Sequence, residues 1–249
     1  MLAREKEQNP LTVDQEQATK PEAPGEKTAP GQEQKSSYRP QFRMPQELIS
    51  GLEIRESEIP GRIDWKELFG NDRPVETDIG FGKGRFLIEA AQTFPDRNFF
   101  GIELMWKPYR VARERLAKRR LPNVRIVRAD AKWFVAERIP DRSVAVHHIL
   151  FPDPWPKRRH HKRRLVTPPF VEELARTLIP GGVLHLASDM AEYFEELTYI
   201  VESAGRFELI AESTIDPERD ILTNFAAKYL REGRELYQAR FRLVGEGSG

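Results

Sequence analysis

Three carboxylates and a glycine-rich turn have the residue types and the spacing that binding of a nucleoside requires. The turn GFGKG follows a short apolar run that ends at Asp78, and it precedes a helical window. Its glycines are Gly80, Gly82 and Gly84. Because glycine has no Cβ, such a turn lets a ligand lie against bare backbone amides at the start of a helix. Two further acids, Glu103 and Asp130, close the next two β-prone runs.

The three acids suit different parts of one ligand, because the carboxyl ends of parallel strands converge on a single crevice. Glu103 can accept hydrogen bonds from two ribose hydroxyls, Asp130 can meet an adenine amino group, and Asp78 can face an ammonium group. An adenosine that carries a cationic amino acid is S-adenosylmethionine, which we predict as the cofactor. The alternative, that each acid only caps the following helix, stays open. A nicotinamide dehydrogenase is less favoured, because its turn is GxGxxG and this one is GxGxG.

The segment 151–164, FPDPWPKRRHHKRR, is the most unusual stretch of the chain. Its prolines exclude regular helix and strand, so Asp153 and Trp155 are expected on a stiff exposed loop after a buried strand. Asp153 can hydrogen-bond a base edge or hold a reacting atom in line, although a turn-forming role is also possible. Trp155 either stacks on a base or packs the loop onto the domain. The basic run suits phosphate contacts, with Lys157, Arg159, Arg163 and Arg164 as candidates.

Composition excludes several functions. The 249 residues include no cysteine, which removes disulfides, thiolate metal sites and a cysteine nucleophile. Adjacent His147 and His148 in a strand must point to opposite faces, so we expect no metal site. Lys plus Arg number 40 against 39 for Asp plus Glu, so any nucleic-acid contact depends on local basic patches. No stretch is long and apolar enough to span a membrane, and we expect a cytoplasmic protein.

The order of apolar runs predicts an α/β domain. Residues 1–37 are expected to form a disordered tail, residues 38–73 an extended arm, and residues 74–249 the domain. Strands are predicted at 75–79, 98–103, 124–128, 143–151, 183–188, 207–211 and 236–243. Helices are predicted at 85–94, 107–121, 131–137, 168–178 and 190–204. This alternation predicts a mostly parallel sheet with helices on both faces and an antiparallel terminal strand.

The motifs DIGFGKG, GIEL, RADA, FPDPWPKRRHHKRR, GGVLHLASDM and LTNF together resemble the bacterial tRNA (guanine-N7-)-methyltransferase family. The similarity runs from about Arg73 to Leu243. It implies a Rossmann-like, seven-stranded methyltransferase fold that uses S-adenosylmethionine to methylate N7 of guanine 46 in the variable loop of tRNA. It also implies cofactor-binding roles for Asp78, Glu103, Asp130 and Asp153, with Asp153 at the active site as well. Substrate-binding roles are implied for Lys157, Asp189 and the segment Thr223, Asn224, Phe225 and Ala226.

Two positions depart from the family pattern. The family usually has Glu where Asp78 stands, and its T-x-[YF]-E segment lacks its carboxylate here because Ala226 takes that place. Glu232 or Glu235 could substitute for it.

The chemistry agrees with the absence of cysteine, since C5 methylation of a pyrimidine needs a cysteine nucleophile whereas guanine N7 has a free lone pair. We expect tRNA as the partner of a monomer or homodimer. A methyltransferase for another RNA or a protein, and a non-catalytic RNA-binding protein on this fold, remain alternatives.

Overall fold

The computed structural model describes residues 49–245. The expected tail at 1–37 and the first part of the expected arm, residues 38–48, lie outside the described residues. Within the described part, residues 49–73 contain a short strand, a 3-10 turn at Glu56–Glu58 and helix α1 at Trp65–Phe69. Phe69 of α1 is buried in the hydrophobic core together with Ile59 and Ile63.

A single eight-stranded sheet organises the described residues. Its strands are β1 Glu53–Ile54, β2 Val75–Ile79, β3 Asn98–Ile102, β4 Val124–Val127, β5 Val144–Leu150, β6 Leu178–Ser188, β7 Phe207–Thr214 and β8 Tyr237–Leu243. The strand order is β1-β4-β3-β2-β5-β6-β8-β7. Strands β1 to β6 pair in parallel, and β8 runs antiparallel to both β6 and β7. The predicted fold class, a mostly parallel sheet with an antiparallel terminal strand, is confirmed.

Two strands differ from the sequence-based expectation. The seven predicted strands are present, and β1 adds an eighth at the sheet edge, where Glu53 pairs with Ile126. A two-residue strand is too short to show any periodicity, so no pattern could have predicted it. Strand β6 begins at Leu178, five positions earlier than predicted, because Leu178 pairs with Val144 before a register shift. The intervening Pro180, Gly181 and Gly182 suggested a loop at this point.

Helices cover both faces of the sheet, which explains why β2 and β3 are buried throughout. They are α2 Arg85–Thr93, α3 Trp106–Arg119, α4 Ala131–Arg138, α5 Pro168–Thr177, α6 Ala191–Ser203 and α7 Asn224–Arg231. In β3 the side chain of Phe99 packs into the cluster that contains residues of α2 and α3, whereas Phe100 packs into the cluster that contains residues of α4 to α6. Successive residues of a strand point to opposite faces, so β3 is shared between two cores.

The centre of the sheet creates the crevice in which a ligand can bind. From β2 the chain proceeds to β3 on one side, whereas β5 on the other side of β2 leads to β6. Loops that leave the carboxyl ends of β2 and β5 therefore diverge in opposite directions. These loops are the glycine turn and the proline-rich loop.

Candidate active site

The glycine turn after β2 has a backbone that only glycine adopts without strain. Gly80, Gly82 and Gly84 have φ values of +83°, +57° and +73°. The amide of Gly80 donates to the carbonyl of Ile102 over 2.7 Å, which attaches the turn to the end of β3. Gly84 is the N-cap of α2 and brings no side chain to cap it. The turn thus presents backbone amides at a helix start, which favours a polar or anionic ligand group.

Glu103 fastens the next strand end to this turn. Its Oε2 accepts from the amide of Gly82 over 2.9 Å, and its Oε1 accepts from the amide of Met105 over 2.7 Å. Burial raises the pKa of Glu103, and these backbone hydrogen bonds counteract that shift. The carboxylate is therefore held in one orientation, as recognition of a ribose diol requires.

Asp78 is the most strongly perturbed carboxyl of the site. It is only 3% exposed, and its Oδ2 is buried without a hydrogen-bond partner among residues 49–245. Burial, together with the nearby charge of Glu103, raises the pKa of Asp78 to about 8. An unpartnered buried carboxyl oxygen is costly unless a ligand donates to it. A cationic ammonium group would satisfy this oxygen, so Asp78 and Glu103 fit the amino-acid and ribose parts of S-adenosylmethionine.

Asp130 is exposed at the end of β4 and is the N-cap of α4. Its Oδ1 accepts from the amides of Lys132 and Trp133 over 2.9 and 3.2 Å. The capping interpretation is therefore correct for Oδ1, while Oδ2 has no partner within the described range. A contact from Oδ2 to an adenine amino group stays a prediction.

Apolar side chains beside Glu103 were missed by the sequence analysis. Leu104 and Met105, in the turn between β3 and α3, are 53% and 63% exposed, and Trp106, the first residue of α3, is 50% exposed. Large exposed apolar side chains next to a fixed carboxylate offer a surface for the face of a base. The signal was present in the run LMW directly after the strand-end acid, where polar turn residues are usual.

The proline-rich loop after β5 is strained. Phe151 and Trp155 have φ values of +59° and +43°, which is unusual for residues that carry a Cβ. Asp153 between them is exposed. Its negative charge adds to the burial that raises the pKa of Glu103. Asp153 is therefore near Glu103, as expected for loops that leave the carboxyl ends of strands in the centre of the sheet. Backbone strain of this kind is found where a loop must present a functional group.

Trp155 packs within the loop. Its ring meets His160 edge-on at 5.7 Å between centroids, and the guanidinium of Arg163 lies 4.9 Å above it. Lys157, Arg159 and Arg163 are exposed on or beside the 3-10 turn at Arg158–Arg163. These three side chains are accessible to a phosphate backbone, and their role in binding stays a prediction.

Comparison with known proteins agrees with this arrangement. The family described as "Putative methyltransferase" matches residues 72–239. A tRNA (guanine-N(7)-)-methyltransferase of Vibrio vulnificus (strain YJ016) is 39% identical over 186 residues, which cover 73% of this chain and 78% of the relative. One of Alkalilimnicola ehrlichii is 40% identical over 187 residues, covering 72% and 77%. The chain belongs to the tRNA (guanine-N7-)-methyltransferase family.

Solved structures give the same fold at lower identity. A 30S ribosomal A1408 methyltransferase from an uncultured bacterium has a TM-score of 0.54 at 17% identity, with 74% of this chain and 95% of that chain covered. An antibiotic-related methyltransferase has a TM-score of 0.55 at 18% identity, covering 72% and 92%. Membership of the tRNA (guanine-N7-)-methyltransferase family makes S-adenosylmethionine the methyl donor, as the buried carboxyls suggested.

In this family member Arg164 anchors the proline-rich loop. Its side chain is 8% exposed. The Nε donates to the carbonyl of Pro154 over 2.8 Å, the Nη1 pairs with Glu196 of α6, and the guanidinium stacks 4.9 Å above the ring of Tyr193. These contacts turn Arg164 away from solvent. This differs from the expected phosphate contact, because a buried guanidinium needs its partners within the protein.

The segment that begins at Thr223 forms the other wall of the crevice. The Oγ1 of Thr223 caps α7 by accepting from the amide of Ala226 over 2.9 Å. The Oδ1 of Asn224 accepts from Nη1 of Arg115 over 3.4 Å. Phe225 is half exposed, and a Cβ on Gly82 would lie 3.8 Å from its ring. Phe225 therefore lies over the glycine turn.

Ala226, which replaces the usual glutamate of the family, is the buried residue of α7. It lines a cavity of about 430 Å³ on the sheet face together with Phe86, His148 and His185. The structure places the side chain of residue 226 toward this cavity, so restoring a carboxylate there would bury it. Asp189 at the end of β6 instead pairs with Arg234, whose Nη1 lies 2.8 Å from its Oδ2.

Residues 49–245 contain no cluster of three or more His, Asp or Glu side chains that could hold a metal ion. Over the same range, none of the helices has the length and apolar character that crossing a membrane requires.

Proposed function

We propose that this protein transfers the methyl group of S-adenosylmethionine to N7 of guanine 46 in the variable loop of tRNA. The observation that carries the proposal is the buried, unpartnered Oδ2 of Asp78 beside the fixed carboxylate of Glu103, with the charge of Asp153 nearby. The relatives at about 39% identity carry the name of this activity. The site offers a place for the cofactor and an acidic group next to it for a base.

The cofactor, when bound, supplies a methyl group on a cationic sulfur that a neutral nitrogen can attack. Guanine N7 has a lone pair and no proton, so the enzyme needs no general base. We propose that Asp153 accepts a hydrogen bond from the guanine and holds N7 in line. Positioning of this kind can supply a large part of the rate enhancement. The strained backbone at Phe151 and Trp155 and the Arg164 anchor keep Asp153 in place before the substrate arrives.

Basic side chains around the crevice supply the contacts to tRNA. We propose that Lys157, Arg159 and Arg163 bind phosphates of the RNA backbone, with Asp189 and the segment 223–226 near the base. Interactions with phosphates are strongly dependent on salt, so the affinity for tRNA falls as salt rises while the affinity for the cofactor changes less. We further propose that the enzyme acts in the cytoplasm as a monomer or a homodimer, which light scattering of the purified protein tests.

The test uses labelled S-adenosylmethionine and unmodified tRNA transcripts that carry guanine or adenine at position 46. We expect label to appear in the guanine transcript. Strand scission at N7-methylguanine should map this label to position 46. Label at another guanine, or transfer to the adenine transcript, would assign a different site. No transfer despite measurable cofactor binding would favour a non-catalytic RNA-binding protein.

Asp153→Ala tests the role of the loop. We expect kcat at saturating cofactor to fall by roughly 100-fold, because the placement of the base is lost. Asp96→Ala is the matched control, since Asp96 is an exposed acid in the turn before β3. This turn lies at the amino ends of the parallel strands, away from the crevice at their carboxyl ends. Wild-type turnover in Asp153→Ala with normal tRNA binding would contradict the assignment.

A further inference from the structure

The ion pair between Asp189 and Arg234 joins two separate walls of the crevice. Asp189 follows β6, and Arg234 follows α7, 45 residues later. The Nη1 of Arg234 lies 2.8 Å from Oδ2 of Asp189, and its Nε lies 3.2 Å from Oε2 of Glu232. The side chain of Asp189 is 17% exposed and that of Arg234 is 48% exposed. The pair is therefore fixed by a second carboxylate yet open to solvent.

Tyr229 of α7 connects this pair with the rest of the site. The guanidinium of Arg234 lies 4.3 Å above the Tyr229 ring. The same ring is 6.3 Å from Phe151, where the loop of Asp153 begins, and 6.2 Å from Phe225, which lies over the glycine turn. Asp189 and Arg234 thus border the crevice in which we propose the methyl transfer.

Each member of the pair keeps one polar atom available. Within residues 49–245, Oδ1 of Asp189 and Nη2 of Arg234 have no hydrogen-bond partner, so both can contact a ligand. The pair therefore presents a hydrogen-bond acceptor beside a donor. Guanine offers the complement, because its O6 accepts and its neighbouring N1–H donates. Adenine reverses the order, with an amino donor at C6 and an acceptor at N1.

We propose that Arg234 and Asp189 read the guanine edge, with Arg234 donating to O6 and Asp189 accepting from N1–H. This inference rests on the proposed function. N7 must face the methyl group, so the base cannot turn over and exchange the positions of O6 and N1. The order of the Arg234 donor and the Asp189 acceptor therefore selects guanine over adenine. A donor and an acceptor that match guanine are opposed by the donor and the acceptor of adenine, so the wrong base forms neither hydrogen bond and is disfavoured. Arg234 is then a specificity-determining residue.

The experiment uses tRNA assembled with guanine, hypoxanthine, 2-aminopurine or adenine at position 46. All four purines have N7, but only guanine and hypoxanthine have both O6 and N1–H. We expect wild-type enzyme to accept guanine and hypoxanthine and to use 2-aminopurine and adenine poorly. Since the purines differ in intrinsic reactivity, the measured quantity is the change in the guanine to 2-aminopurine ratio of kcat/KM between variant and wild type.

Arg234→Ala should lower kcat/KM for guanine about 10- to 100-fold and leave that for 2-aminopurine nearly unchanged, as expected for loss of one charged hydrogen bond. Arg234→Lys, which keeps a donor, should recover part of the ratio. Arg231→Ala is the control, because it removes the same charge three positions earlier, at the end of α7, where the side chain of Arg231 contacts only the carbonyl of Ala227 among residues 49–245. It should leave the ratio at the wild-type value.

The ratio is measured within one protein preparation, so partial unfolding of a variant cancels. A ratio in Arg234→Ala equal to that of wild type would overturn the inference and leave Arg234 as a link between α7 and β6. Wild-type enzyme that methylates guanine 46 without discriminating against 2-aminopurine would also overturn it. Absence of methylation of guanine 46 by wild-type enzyme would instead refute the proposed function.

Discussion

Asp78→Asn should make the cofactor-free protein more stable while it abolishes tight binding of S-adenosylmethionine. Burial first, and the charge of Glu103 second, raise the pKa of Asp78 to about 8. In the unfolded chain the pKa of aspartate is near 3.9. The folded protein therefore binds a proton that the unfolded chain releases at any pH between these values. Stability contributed by this residue falls as pH rises through that window and becomes constant above about pH 8.

The magnitude follows from the two pKa values. At pH 7 the relevant interval is the one from the unfolded pKa of about 3.9 up to pH 7, about three pH units, which corresponds to about 4 kcal/mol. This value is an upper limit on the stability that a neutral side chain of the same shape would gain. Asparagine has that shape and carries no charge at any pH. The gain should vanish near pH 4, where the aspartate is protonated in the folded protein and partly so in the unfolded chain. Residues that bind ligands often carry such a cost in stability.

The assay is urea unfolding of wild-type and Asp78→Asn protein at pH 4.5, 7 and 8.5, with calorimetric titration of S-adenosylmethionine at pH 7 and 8.5. For wild type we also expect affinity to be greatest near pH 8, because Asp78 ionises over the same range in which the α-ammonium group of the ligand, with a pKa of about 7.7–8.0, loses its proton. Asp64→Asn is the matched control, since Asp64 is exposed, has no role in the proposed site and caps α1 by accepting from the amide of Glu67, and asparagine caps a helix equally well. Equal stability of wild type and Asp78→Asn at pH 8.5, or unchanged cofactor affinity in the variant, would refute the reasoning.

Two further substitutions test how the site is positioned. Arg164→Met should lower kcat about 10- to 100-fold and leave cofactor affinity unchanged, because the loop loses its anchor to α6. Arg159→Ala, by contrast, should raise KM for tRNA and leave kcat nearly unchanged. If Arg164→Met raised only KM for tRNA and kept the wild-type kcat, Arg164 would not act as an anchor. Gly84→Ala should destabilise the protein by about 2–4 kcal/mol in thermal unfolding, since the new Cβ would lie 2.9 Å from Cβ of Ala112 at a positive φ. Gly70→Ala shares the positive φ but meets no atom within 4 Å, so an equal loss in both variants would refute the clash.

The fold could be predicted from local pattern because its signals are local. Strand β2 was predicted at its observed bounds, since its five residues are all buried and are followed by a glycine turn. The positions of Asp78, Glu103 and Asp130 at strand ends follow from the same runs. Parallel pairing brings such ends together, and this is why acids far apart in the chain could be expected in one crevice.

Side-chain partners could not be predicted in the same way, because they depend on contacts between distant segments. Arg164 belongs to a run of basic residues, and such runs are normally solvated, yet its partner Glu196 is 32 residues away on α6. The burial of Ala226 depends on how α7 covers the sheet, and the sequence shows only that a carboxylate is absent.

The pairing of Asp189 with Arg234 shows how contacts between distant segments can determine specificity. The resemblance to the family directs attention to a missing carboxylate at position 226 and suggests Glu232 as its replacement. In the structure Glu232 binds Arg234 instead, and Arg234 binds Asp189. The two carboxylates and the Tyr229 ring hold the guanidinium of Arg234 in one orientation. Its remaining nitrogen, Nη2, therefore donates in a fixed direction. Loss of the acceptor at position 226 is thus compatible with the proposed recognition of guanine, in which Asp189 supplies an acceptor for N1–H and Arg234 a fixed donor to O6.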